Sequence, residues 1–334
     1  MTRSATGPSA DRSARLRAVA GWVGLVAGSA FLAGLVGGAV AAADLPVLVG
    51  TSVTRSGMDA AGVACVGLTL LGVLLPLGAT TLPGSALRDL VRVQATADRA
   101  VVVAAGCWLV LVLAGVAFRS AAALDVPVSR LAAGDVAAWA TQLSAGRGML
   151  LTAGCAAAVL GCSVARLRRA DAVQVRIPLI AALLGTLMPA LTGHTGSAPD
   201  HQLAVIAAAL HVGAAALWVG GLAALLALVA RHRALLADVL PRFSRLATGC
   251  VIAVAVTGVV NAFTRLEDWA ALVTTGYGWL VLTKTVLMVV LAGLGGLARR
   301  RLAAHRSPVL RWAGLEVALM AVTLGVAAAL TQTG

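Results

Sequence analysis

Three histidines lie within eighteen residues of one another, His194, His201 and His211, in a chain whose other two histidines, His232 and His305, sit among arginines. Imidazole is a good ligand for copper, zinc and iron. His194 closes one apolar run in Gly193-His194-Thr195, and His201 opens the next after the short stretch Gly196–Asp200. If both runs are helices they form an antiparallel hairpin, with both imidazoles near one face. His211 is ten residues further along, which on an α-helix is roughly 15 Å deeper and about 80° around the axis. His201 and His211 therefore cannot share one ion while the helix is intact. The spacing predicts an outer capture site at His194 and His201 and a deeper station at His211. Met188, beside Pro189, lies before His194 and could add a soft thioether suited to Cu(I), although a methionine there also serves as plain packing. Trp218 falls on nearly the same face as His211 and is expected to pack.

Other polar groups inside apolar runs are few, and they are costly in lipid. Lys284 is the only lysine of the chain. It could snorkel outward or pair with Asn261. Glu316 lies near the start of the last run and could meet arginines at the inner surface. His232 and His305 are assigned no specific role. A bis-histidine haem site, as in a membrane electron carrier, needs two facing histidines at one depth, and only His211 lies deep. The five cysteines all fall in apolar runs without a CxxC pair and read as small packing residues. No P-loop, HExxH, nucleophile elbow or dinucleotide fingerprint is present, so the chain is not expected to be an enzyme.

The elements that must position these residues follow from composition. The 334 residues are 60% hydrophobic and 12% charged, with mean hydropathy +0.95, too few polar groups to cover a soluble globule. The apolar runs are about 20 residues long, the length that crosses a bilayer as a helix. The fold class expected is all-α, a polytopic transmembrane bundle of about nine helices. The runs cover 19–43, 60–82, 99–118, 143–167, 177–193, 202–230, 244–263, 277–298 and 309–331. Residues 1–17 read as a disordered basic tail, 18–175 as a four-helix membrane region and 176–334 as a five-helix domain. The first run has a signal-like start but is too long for a signal core, and fits a retained helix.

The net charge of +13 does not point to nucleic acid, because the arginines sit in loops between apolar runs and form no aromatic-interleaved patch. Their placement is topological. With the N-terminus in the cytoplasm, twenty arginines fall on the inner side and five (Arg55, Arg119, Arg130, Arg147, Arg265) on the outer, Lys284 being the remaining cation. That asymmetry obeys the positive-inside rule and implies a multi-pass protein of the bacterial inner membrane. The stretch 134–142 could form a short interfacial helix with Trp139 at headgroup level. Glycines such as Gly220-Gly221 read as helix-packing surfaces. The first four runs are almost free of intramembrane polar groups and read as scaffold.

Several motifs of the second half come in a telling order. Gly193-His194 is followed by His211 and Ala216-Leu217-Trp218-Val219-Gly220-Gly221-Leu222, then by Arg242-Phe243-Ser244-Arg245-Leu246-Ala247 and Thr257-Gly258-Val259-Val260-Asn261-Ala262. Tyr277-Gly278-Trp279-Leu280 with Lys284, Arg299-Arg300-Arg301, and Glu316 before Leu330-Thr331 complete the series. In order and spacing, residues 190–332 resemble the CopD family of bacterial copper-resistance and copper-uptake membrane proteins. The first four runs resemble the N-terminal extension of longer actinobacterial members. The resemblance implies copper transport across the inner membrane, toward the cytoplasm, with the histidines as ligands for the copper ion. It also implies a separate CopC-like periplasmic protein as a possible copper donor. A CtaG-like second domain, present in some members, is not expected here. The same residues admit another reading, a non-transporting assembly or sensor scaffold that holds copper for a partner.

Overall fold

A computed structural model describes residues 45–76, 83–192 and 201–263, with scattered positions between 279 and 293. The chain divides into two units, residues 43–271 and residues 1–42 together with 272–334. The expected runs 19–43, 277–298 and 309–331, with Lys284, Glu316 and His305, lie outside the described residues apart from isolated helical positions between 279 and 293. His194 also lies outside them.

The unit formed by residues 43–271 is helical throughout its described residues. Its elements are α1 (Leu45–Leu74), α2 (Gly84–Leu124), a 3-10 turn (Val128–Arg130), α3 (Ala133–Gln142), α4 (Ser144–Arg168), α5 (Arg176–Thr192), α6 (His201–Ala224) and α7 (Arg233–Phe263). Among the described residues, five helical stretches are long and apolar enough to cross a membrane: Val49–Leu74, Gly84–Leu124, Ser144–Arg168, Gln202–Val229 and Arg233–Val260. A shorter apolar helix is Arg176–Thr192. Large apolar side chains face outward at helical spacing, for example Leu203, Ile206 and Leu210 on α6, and Ile252, Val256 and Val259 on α7. A soluble protein does not expose apolar stripes of this extent. Together they define a multi-pass membrane protein.

Helix α1 is the hub, packing against α2, α5 and α6, while α4 joins α2 to α5 and α7 lies against α6. Sequential helices alternate in direction. One end of this unit therefore gathers the start of α1, the end of α2, α3, the start of α4, the end of α5 and the start of α6. The core is built from Trp108, Val66, Val101, Val112 and Val159, each at most 2% exposed. Glycine sets the closest crossing. A Cβ on Gly67 would meet the Gly220 backbone at 2.0 Å, and one on Gly220 would meet the Val63 carbonyl oxygen at 2.3 Å. Only hydrogen at both positions lets α1 and α6 touch backbone to backbone.

Helix boundaries depart from the expected runs in one systematic way. α1 begins fifteen residues before the expected position 60, and α2 fifteen residues before position 99. Charged residues end an apolar run without ending a helix. In α1 the added turns carry Arg55 and Asp59, paired at i,i+4 with Nε to Oδ2 3.1 Å. At the far end of α2, Asp125 takes the left-handed conformation (φ 54°) and its N–H donates to the Ala121 carbonyl, with Pro127 stopping any continuation.

The short helix expected at 134–142 is present as α3. Its Trp139, however, is 7% exposed and belongs to the apolar core, not to a headgroup layer. The reason is Gly146: a Cβ there would meet the Trp139 carbonyl oxygen at 2.3 Å, so α3 folds tightly back on α4.

A candidate functional site between α6 and α7

His201 is the first residue of α6, and the helix runs unbroken to Ala224. His211 therefore sits on the same unbroken helix, ten residues further on. His211 is half-buried against α7. Its Nδ1 lies 3.0 Å from the Thr257 hydroxyl. That hydroxyl has one proton and two backbone acceptors one turn back, the Ala253 carbonyl at 2.5 Å and the Val254 carbonyl at 3.3 Å. With the proton directed to Ala253, the hydroxyl oxygen accepts from His211 Nδ1–H. In that arrangement Nδ1 carries the ring proton, the way a threonine hydroxyl orients a histidine.

Gly258 completes the seat. A Cβ at Gly258 would lie 3.6 Å from His211 Cε1, so the imidazole rests on the α7 backbone at the Thr257-Gly258 step. The two motifs singled out in the sequence, His211 and Thr257–Ala262, are thus one structural feature. Two more pieces of the series also meet. A Cβ on Gly221 would strike the Phe243 ring at 2.7 Å, so the second glycine of Trp218-Val219-Gly220-Gly221 makes room for the aromatic of Arg242-Phe243-Ser244. Arg242 Nη1 donates to the Leu74 carbonyl at 2.7 Å and Nη2 donates to Asp238 Oδ1 at 3.2 Å. It thereby ties the end of α1 to α7.

Other candidates fall as follows. Trp218 is buried, 7% exposed, consistent with packing. Met188 is half-buried within α5 beside Pro189, and its carbonyl accepts from the Thr192 hydroxyl at 2.8 Å. Asn261 lies on α7 within its last turn. Among the described residues no group of three or more His, Cys, Asp or Glu side chains converges as a metal cage.

Two features were missed by sequence reasoning. Arg166 was counted as an inner-loop charge, yet it is 8% exposed on α4 and pairs with Asp98 of α2, Nε to Oδ1 3.2 Å. It also donates from Nη1 to the Val173 and Ala170 carbonyls at 2.9 and 3.2 Å. The first helices therefore do hold a largely buried ion pair. His232, assigned no role, lies 3.1 Å from Asp89 Oδ2 through Nδ1. Both acidic partners precede the apolar run of α2 by helical spacing, and the helical extension of α2 beyond that run was the one signal that could have placed them.

With this geometry in view, comparison with known proteins is specific. Residues 237–330 match the family described as copper resistance protein D, CopD. The match falls within residues 190–332, whose ordered motifs resemble that family. It contains Thr257, Gly258, Asn261, Lys284 and Glu316, whereas His194, His201 and His211 lie before it. The copper transport protein CutJ of Bacillus subtilis (strain 168) is 30% identical over 147 residues, which cover 40% of this chain and 27% of CutJ. The chain thus matches about a quarter of that relative's length. No solved structure matches the chain.

Proposed function

We propose that this protein carries copper across the bacterial inner membrane, toward the cytoplasm, in copper homeostasis. The observation that carries the reading is the α6–α7 contact: a histidine of an apolar helix, just before the segment that matches CopD, is held by a threonine inside that segment. Copper is captured at the end of the bundle where α5 gives way to α6, by His194 and His201 with Met188 as a possible soft ligand. It then passes to His211, and Asn261, Lys284 and Glu316 are proposed as the further polar residues of the transport path. Ligand exchange between stations at different depths suits a cargo that must leave as readily as it arrives.

The full topology in this proposal has about nine membrane helices with the N-terminus in the cytoplasm, supported by the arginine asymmetry. Residues 176–334 form the copper-handling part. A CopC-like periplasmic protein is a reasonable donor for the capture site. The function is transport, with no bond made or broken in a substrate.

The test is copper accumulation by cells expressing the full chain. His211→Ala is expected to abolish copper-dependent accumulation while the protein remains in the membrane at normal level. Undiminished uptake by the His194→Ala/His201→Ala/His211→Ala variant would overturn the proposal.

A further inference from the structure

A second site lies away from the histidines, in a cleft between α1, α2, α4 and α5. It is lined by Arg55, Met58, Arg119, Met149, Pro189 and Thr192. Arg55 Nε is engaged by Asp59. Among the described residues Arg119 makes no direct hydrogen bond or ion pair. The cleft therefore presents two guanidinium groups against one carboxylate. Two guanidinium groups that share one carboxylate at the end of membrane helices are costly, and the planar fork of Arg119 matches the oxygens of a phosphate.

The rest of the lining sets the shape of the cleft. Thr192 is brought in because α4 and α5 touch at Gly148, where a Cβ would strike the Thr192 hydroxyl at 1.9 Å. That hydroxyl spends its proton on the Met188 carbonyl, so Thr192 shapes the wall and the guanidinium groups are left as the donors. Met58 and Met149, each 4% exposed, form an apolar floor, and both converge on Gly115, where a Cβ would lie 3.2 Å from Met58 Sδ and 3.0 Å from Met149 Cε. Two thioethers by themselves would suit Cu(I), but two flanking guanidinium groups repel a cation. The topology also brings Arg130 and Arg147 to this end of the helices, with Asp125 and Asp135 as the acidic residues of the same connecting segment.

We propose that this cleft binds a phosphate-bearing anion, with the phosphate on Arg119 and Arg55 and any attached apolar chain along the methionine side. The chemistry is shared by an anionic phospholipid headgroup and by free phosphate. The site lies at the same end of the bundle as the α5–α6 junction. It is independent of copper.

The experiment uses the purified full chain in detergent at constant ionic strength, with unfolding temperature and native mass spectrometry as readouts. The probes are phosphatidylglycerol, phosphatidylcholine and inorganic phosphate. Phosphatidylglycerol is expected to raise the unfolding temperature more than phosphatidylcholine and to remain bound. Arg119→Gln should weaken its retention about tenfold, the loss of one charge-assisted contact, and Arg119→Lys should retain an intermediate level. A rise with inorganic phosphate alone, lost in Arg119→Gln, would identify a free anion as the ligand and also support the site. If Arg119→Gln does not fold, Arg55→Gln and Arg119→Lys carry the test. Equal responses to all three probes, or phosphatidylglycerol retention unchanged in these variants, would overturn the proposal. Copper binding should be unaffected throughout, so a failure here and a failure of the transport reading are separate results.

Discussion

The Nδ1 of His211 stands 3.0 Å from the hydroxyl of Thr257, across the contact between α6 and α7. This hydrogen bond links the histidine of α6 to the segment that matches CopD and orients its ring. Replacing Thr257 with Val keeps the shape and removes the acceptor. Loss of a group that orients a ligand typically costs about 10- to 100-fold in metal affinity, and Thr257→Val is expected to fall in that range. Thr257→Ser should stay close to wild type. Isothermal titration with copper under reducing and non-reducing conditions checks both variants.

Gly258 offers a finer test of the same seat. A methyl group there would reach ordinary contact with the imidazole, 3.6 Å from Cε1, so Gly258→Ala should fold and bind copper. Gly258→Leu would place its branch where the ring lies, and should lower copper affinity with little change in the amount of protein in the membrane. Quantifying bound copper per chain for the two variants distinguishes these outcomes.

The crossing of α1 with α6 depends on Gly67 and Gly220, whose backbones touch. Overpacking a tight contact costs about 1–3 kcal/mol and occasionally more. Gly220→Val and Gly67→Val are each expected to lower the unfolding temperature in detergent and to reduce yield. Gly84→Val, at a glycine with open space around its Cα, should do neither. Fluorescence-detected size-exclusion after heating gives the comparison.

Arg166 and Asp98 form the largely buried ion pair of the first helices, with side-chain exposures of 8% and 21%. Removing one member of a buried pair costs about 3–5 kcal/mol, whereas replacing both by apolar residues is often close to neutral. Asp98→Leu should therefore destabilise the protein more than the double change Asp98→Leu/Arg166→Met. A double-mutant cycle on unfolding temperature reads this directly.

Much of the architecture was legible in the sequence, for a physical reason. Lipid demands long apolar runs, and α4 and α5 end within a residue or so of the runs that predicted them. The pairing of His211 with Thr257 was not legible, because helix rotation about its axis is set by packing partners. Periodicity cannot reveal it in helices that are apolar on every side. Nor was the burial of Arg166 visible, since an arginine at the end of an apolar run looks the same whether it faces water or a carboxylate on a neighbouring helix. The five-residue π-helical turn Leu225–Val229 that closes α6 leaves no mark in Leu225-Leu226-Ala227-Leu228-Val229. The glycine contact of α1 with α6 was half visible, as Gly220-Gly221 but without its partner Gly67.

The central claim is that the histidines of the α5–α6 region hold copper, and metal analysis of the purified full chain after dialysis tests it most directly. Wild-type protein is compared with the His194→Ala/His201→Ala/His211→Ala variant. Stoichiometric copper in the wild type that is lost in the variant is the predicted result. Equal copper in both, or none in either, would contradict the claim.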